Sequence, residues 1–141
     1  MTKVAAETRS VVVEREVAYP PEKLWRALTQ PHLIEEWLMK TDFKPVAGHR
    51  FSLRRDPKPD LSVVIDCQVL EVEPNKTLSY TWAAYGLESV VTFTLTPTST
   101  GTLLRMEQAG FGPDQQAAYK GAKASWPQFL AALEQVLKKT D

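Results

Sequence analysis

Five successive runs between His49 and Gln108 place like residues on every second position, and after Pro113 the spacing changes to that of a helix. His49, Phe51 and Leu53 fall on one face, against Arg50, Ser52 and Arg54 on the other. Val63, Ile65, Cys67 and Val69 share the next face, followed by Leu78, Tyr80 and Trp82 against Thr77, Ser79 and Thr81. Val91, Phe93 and Leu95 make the fourth run, and Leu104, Met106 and Gln108 the fifth. A period of two is that of strands with one face buried. The turn clusters DPKPD (56–60), EPNK (73–76) and PTSTG (97–101) separate most of the runs, so the strands are read as hairpin-connected and antiparallel. Such a sheet must cover its apolar face. The carboxy-terminal helical stretch is the obvious cover: it carries the ridge Trp126, Leu130, Leu133, Leu137, and ~25 residues at ~1.5 Å each make a long rod.

Ahead of this sheet, VVVEREV (11–17) reads as a further strand, with Val11, Val13, Arg15 and Val17 on one face. Two short helical phrases follow, opened by Pro21 and Pro31. Proline suits a first helical turn, where its missing N–H has no intrahelical partner to lose, and Glu22 complements the positive end of the helix dipole. The element order is strand, two short helices, a run of antiparallel strands and one long helix, an α+β arrangement. The long helix is asymmetric. Its first half offers Ala117, Ala118, Gly121, Ala122 and Ser125, and its second half Phe129, Leu130, Leu133 and Leu137. The small half either approaches the sheet closely or leaves space beneath it. Pro127 removes one backbone bond inside this helix and is expected to bend it.

The chain has 141 residues, 43% hydrophobic and 24% charged, which matches one ordinary globular domain spanning 1–141 with its core at about 11–138. Lysine plus arginine balances aspartate plus glutamate at 17 each, so no general attraction to nucleic acid or anionic membrane is expected. No apolar run approaches the ~18 residues of a membrane span, and MTKVAAETRS lacks a signal-peptide core. The single Cys67 forbids an internal disulfide. A cytoplasmic protein without cofactor or metal is expected.

Several phrases, in this order and spacing, resemble one family. They are Pro21-Glu22-Lys23-Leu24-Trp25-Arg26-Ala27-Leu28-Thr29, Glu36-Trp37-Leu38, Gly48 with Phe51, and Val69-Leu70-Glu71-Val72-Glu73-Pro74. Leu78-Ser79-Tyr80-Thr81-Trp82, Val91-Thr92-Phe93-Thr94-Leu95, Gly101-Thr102, Gln108-Ala109-Gly110-Phe111 and Trp126-Pro127-Gln128-Phe129-Leu130 follow. The sequence resembles the SRPBCC (START/Bet v 1-like) superfamily, and within it the bacterial proteins named after the activator of heat-shock-protein-90 ATPase. The resemblance implies a helix-grip fold, a curved antiparallel sheet wrapped around a long carboxy-terminal helix, with two short helices between strands 1 and 2. It also implies an internal cavity for an apolar or amphipathic small molecule such as a lipid, sterol, polyketide or aromatic metabolite. The fold fixes the container and not its content. Two rival functions stand beside binding: a cyclase- or hydrolase-type enzyme working in the same cavity, and a co-chaperone-like interaction module.

Catalytic constellations are thin, and no catalytic residue is assigned. His32 and His49 have no partner at metal-ligand spacing, and no HExxH, CxxC or Walker loop is present. The candidate ligand-binding residues are Trp37, His49, Phe51, Tyr80, Trp82, Met106, Gln108, Tyr119 and Ala122. In the helix-grip arrangement their faces turn inward, with Tyr119 at the mouth and Trp37 toward the open side. Related proteins often hold a histidine at the position of Gln108. A glutamine orients a ligand but exchanges no proton near neutral pH. Arg15 on an apolar face either extends to solvent or meets an anionic head group. Trp25, Phe93 and Trp126 read as packing, and Cys67 as a small buried hydrophobe.

Overall fold

The computed structural model describes residues 8–140. Residues 1–7, which carry most of the amino-terminal stretch read above, lie outside the described residues, as does residue 141. Strand β1 (Arg9–Val17) is followed by helices α1 (Pro21–Thr29) and α2 (Pro31–Trp37) and by a two-residue strand β2 (Lys40–Thr41). The strands β3 (Arg50–Lys58), β4 (Leu61–Glu73), β5 (Thr77–Ala84), β6 (Leu87–Pro97) and β7 (Thr102–Phe111) then run as a meander into α3 (Gln116–Lys139).

All seven strands join one antiparallel sheet in the order β1-β7-β6-β5-β4-β3-β2. The first strand therefore closes against the last, and α1 and α2 carry the chain across to the opposite edge. Register shifts at Arg9/Ser10, Arg55/Lys58 and Val69/Glu71 give the sheet the local bends that curve it around α3. This is the α+β helix-grip architecture.

Sequence period and burial agree along the strands. Leu104, Met106 and Gln108 are buried while Leu103, Arg105 and Glu107 are half-buried on the outer face, and Ile65, Cys67 and Val69 repeat the pattern. On α3 the ridge of Trp126, Leu130, Leu133, Val136 and Leu137 is buried against the concave face. The helix runs unbroken through Pro127.

Three boundaries differ from the sequence reading. The DPKPD segment does not end β3, which continues to Lys58 through the register shift; a bulge is where a strand tolerates a proline. Strand β2 is too short for any periodicity to reveal it. Helix α3 begins at Gln116 rather than near Pro113, since the Gln115 backbone (φ −118°, ψ 39°) is not helical; its side chain braces the segment from outside the helix. Its Oε1 accepts from the Gly112 N–H at 2.8 Å, and its Nε2 donates to the Gly86 carbonyl at 3.1 Å.

Arg15 neither extends freely nor awaits a ligand. Its Nε lies 2.7 Å from Glu134 Oε1, so the edge strand β1 is tied to the far half of α3.

Candidate functional site

The concave space between sheet and helix divides at Trp126. On one side, toward α1 and α2, aromatic rings fill it. Phe43 and Phe51 meet edge-on at 5.0 Å, Phe51 and Tyr80 at 5.1 Å, and Tyr80 and Phe93 follow at 6.1 Å. Trp37 meets Phe93 edge-on at 6.1 Å, and its Nε1 donates to the Ala27 carbonyl at 2.9 Å. That bond fastens the end of α2 to α1. Cys67 is buried in the same face, where desolvation and the neighbouring Asp66 carboxylate push its thiol up to about 12, so it stays protonated and unreactive near neutral pH. Burial likewise pushes the Tyr80 hydroxyl well above its ordinary value.

On the other side of Trp126 the space is empty. A cavity of about 490 Å³ lies under the small half of α3. That volume is in the range of small-molecule sites. Its floor is Trp82, Trp126 and Gln108, its walls include Ile65, Leu87 and Phe111, and its roof is Ala117, Ala118, Ala122 and Ser125, with Phe129 beside them. The alanine face thus leaves room rather than closing on the sheet. Arg55 and Asp114 supply one charge of each sign to the lining. Arg55 has no ion pair among the described residues.

The mouth is held open by local backbone chemistry. Strands β5 and β6 are joined by the two-residue turn Tyr85-Gly86, with φ of 52° and 81°. Two positive φ values in a row match the twist of a tight hairpin, and glycine takes the second without cost. Tyr85 adopts the left-handed region despite its Cβ, is 79% exposed and lines the cavity entrance. The Gln115 bond to the Gly86 carbonyl couples this hairpin to the start of α3.

The floor carries a directed hydrogen-bond chain. Trp126 Nε1 donates to Gln108 Oε1 at 2.8 Å, Gln108 Nε2 donates to Ser89 Oγ at 3.0 Å, and Ser89 Oγ donates to the Trp82 carbonyl at 2.9 Å. Gln108 is only 2% exposed, so its amide orientation is set by protein partners rather than by solvent.

Of the residues singled out from sequence, Trp82, Gln108 and Ala122 line this cavity together. Phe51, Tyr80 and Trp37 lie in the filled aromatic end, and Met106 is fully buried beside Phe93 in the adjoining strand. His49 is half-buried at the start of β3; its Nε2 is 3.2 Å from the Asp42 carbonyl, and its ring stacks at 6.4 Å on Phe51. Tyr119 packs edge-on against Phe111 at 5.6 Å, with Arg9 over its ring at 5.1 Å and Lys123 at 5.5 Å. Met39, Arg55, Tyr85, Gln115 and Phe129 also line the cavity, beyond the candidates singled out from sequence. For Val63 and Ile65 the signal was present, since they share the inward face of β4. Arg55 likewise continues the face of His49, Phe51 and Leu53 and pairs with Val63, whereas for Tyr85, in the hairpin turn, periodicity carried no such signal. No group of His, Cys, Asp and Glu suited to a metal ion occurs among the described residues. No described helix is long and apolar enough to cross a membrane.

Comparison with known proteins agrees with this geometry. The crystal structure of a Mesorhizobium loti protein is 66% identical, covers 94% of this chain and 99% of its own, and superposes with a TM-score of 0.87. A Nitrosomonas europaea protein, 24% identical over 98% of this chain and 99% of its own, shares the fold with a TM-score of 0.82. DynU16, from the dynemicin biosynthetic locus, is 25% identical over 92% of this chain and 47% of its own, with a TM-score of 0.79. No curated protein matches the sequence. The family model described as "Activator of Hsp90 ATPase homolog 1-like protein" matches residues 18–138, and with a sheet, lid and cavity of this form the chain belongs to that family.

Proposed function

We propose that this protein binds an apolar or amphipathic small molecule in the cavity beneath the first half of α3. The observation that carries the reading is the contrast inside one helix: where α3 bears alanine and serine, about 490 Å³ stays open, floored by Trp82 and Trp126. Hydrophobic and aromatic walls with few polar groups are the usual form of a small-molecule site. The lining offers Arg55 and Asp114 as its charged groups and no histidine or cysteine, which favours holding a molecule over acid–base chemistry on it. DynU16, by its description a protein of the dynemicin biosynthetic locus, supports a small-molecule role for this fold. A cytoplasmic setting goes with this reading, since Cys67 is a free, buried thiol.

The test is native mass spectrometry of freshly purified protein, followed by titration of candidate lipids and aromatic metabolites. Binding should shift amide resonances of Trp82, Ala122 and Phe129. Ala122→Phe, which places a ring in the open space, should weaken any such ligand at least roughly tenfold with little change in stability. If no compound moves cavity resonances, the reading falls. Equal affinity in Ala122→Phe would place the site elsewhere.

A further inference from the structure

We infer that the cavity selects a ring-containing ligand bearing a neutral oxygen acceptor, a ketone, quinone or lactone carbonyl, which takes a hydrogen bond from the Gln108 side-chain amide. The inference rests on the reading of this cavity as a binding site.

Gln108 is the polar group on an otherwise aromatic floor, and its neighbours fix which way its amide faces. An indole N–H donates and never accepts, so the atom 2.8 Å from Trp126 Nε1 must be the amide oxygen. The amide nitrogen then faces Ser89 Oγ, whose own hydrogen is committed to the Trp82 carbonyl, leaving the hydroxyl lone pairs to receive it. Flipping the amide would set a donor against a donor at Trp126 Nε1. The chain Trp126, Gln108, Ser89, Trp82 therefore has one direction.

A glutamine amide has two N–H donors and two acceptor lone pairs. Trp126 uses one lone pair and Ser89 one N–H, so one donor and one lone pair remain. These two are not equal in cost. A carbonyl with one unused lone pair is common in protein interiors, whereas an unpartnered buried N–H is rare. Gln108 is among the residues that line the cavity and is only 2% exposed, so an acceptor in that space would give its remaining N–H a partner. The cognate group is an acceptor. Because Trp82, Trp126 and Phe129 surround it, the acceptor belongs on a flat ring system. A saturated acyl chain would fill the volume but leave the N–H unpaired, which separates this class from simple fatty acids.

The experiment compares 2-acetylnaphthalene with 2-isopropenylnaphthalene, near-isosteres in which C=O is replaced by C=CH₂, by calorimetric titration of the intact chain. The ketone should bind roughly fivefold to tenfold tighter, the usual worth of one hydrogen bond. It should also move one Gln108 side-chain amide proton downfield. In Gln108→Met the preference should disappear. Gln108→Leu, which offers neither an N–H nor an ionisable group, should lose the preference too, and the shift of the Gln108 amide proton in the native chain tests its role should neither variant fold. Equal affinity of the two probes for the native chain overturns the inference and leaves the cavity reading intact. A ketone preference that survives in Gln108→Met or Gln108→Leu overturns the role of Gln108. Binding of neither probe overturns the inference, and the wider titration of lipids and aromatic metabolites then decides the cavity reading.

Discussion

The two ends of the concave face are built from the same sheet and the same helix, yet one is solid and the other hollow. At the α1–α2 end, Phe43, Phe51, Tyr80, Phe93 and Trp37 interlock at ring separations of 5.0–6.2 Å. At the far end the strands still present large residues, Trp82, Leu87 and Phe111, but the helix answers with Ala117, Ala118 and Ala122. Space inside this fold is thus a matter of what the helix withholds rather than of what the sheet offers. At the solid end Phe93 carries the ring packing onto α3, through Trp126 at 6.0 Å. Trp126 is the hinge of the comparison: it is 1% exposed, packs on Phe93 at 6.0 Å and on Trp82 at 5.4 Å, and belongs to both regions.

The sharpest break of this contrast is Phe93→Ala. At a filled site it should cost about 3–5 kcal/mol in chemical denaturation, the range for a large aromatic lost from a close-packed core. A cost below about 1.5 kcal/mol would mean that the aromatic end collapses easily and is not the solid half of the molecule. A smaller effect is expected for Trp37→Phe, which keeps a ring against Phe93 but removes the buried bond to the Ala27 carbonyl. About 1–3 kcal/mol of stability should go, with affinity for 2-acetylnaphthalene unchanged. A change in affinity instead would bring Trp37 into the site. The smallest concerns the tie between β1 and the second half of α3. The Arg15–Glu134 pair is partly exposed, so a double-mutant cycle to alanine should give a coupling of about 0.5 kcal/mol, falling further at high salt. A coupling several times larger would show that this tie, and not the aromatic packing, sets the position of α3.

Much of the fold was written in local pattern. Alternation at Leu78, Tyr80 and Trp82 and at Leu104, Met106 and Gln108 marks inward faces, because a strand turns successive side chains to opposite sides. Pro21 and Pro31 mark the starts of α1 and α2, since proline loses nothing in a first turn. The site was less legible. An inward face is common to residues at the solid end and at the hollow end, so period two selects Phe51 and Tyr80 as readily as Trp82 and Gln108. Which end is filled depends on the residue across the gap, supplied by a different element, α3. Phe43 shows the same limit: it lies between α2 and β3 with no periodic context, yet it meets both Phe51 and Tyr80.

The sequence by itself determined the class of fold, the order of its elements, the inward face of each main strand and the small-sided half of the lid. Local propensity and period suffice for those, because they depend on neighbours along the chain. Only the tertiary structure decided that the small side chains leave a cavity rather than close on the sheet, that Trp37 locks α2 to α1, and that Arg15 finds Glu134. It alone also showed the Gln108 amide held in one orientation between Trp126 and Ser89. Each of these is a pairing between segments distant in sequence, and a side chain's packing and hydrogen bonds are set by what lies opposite it in space.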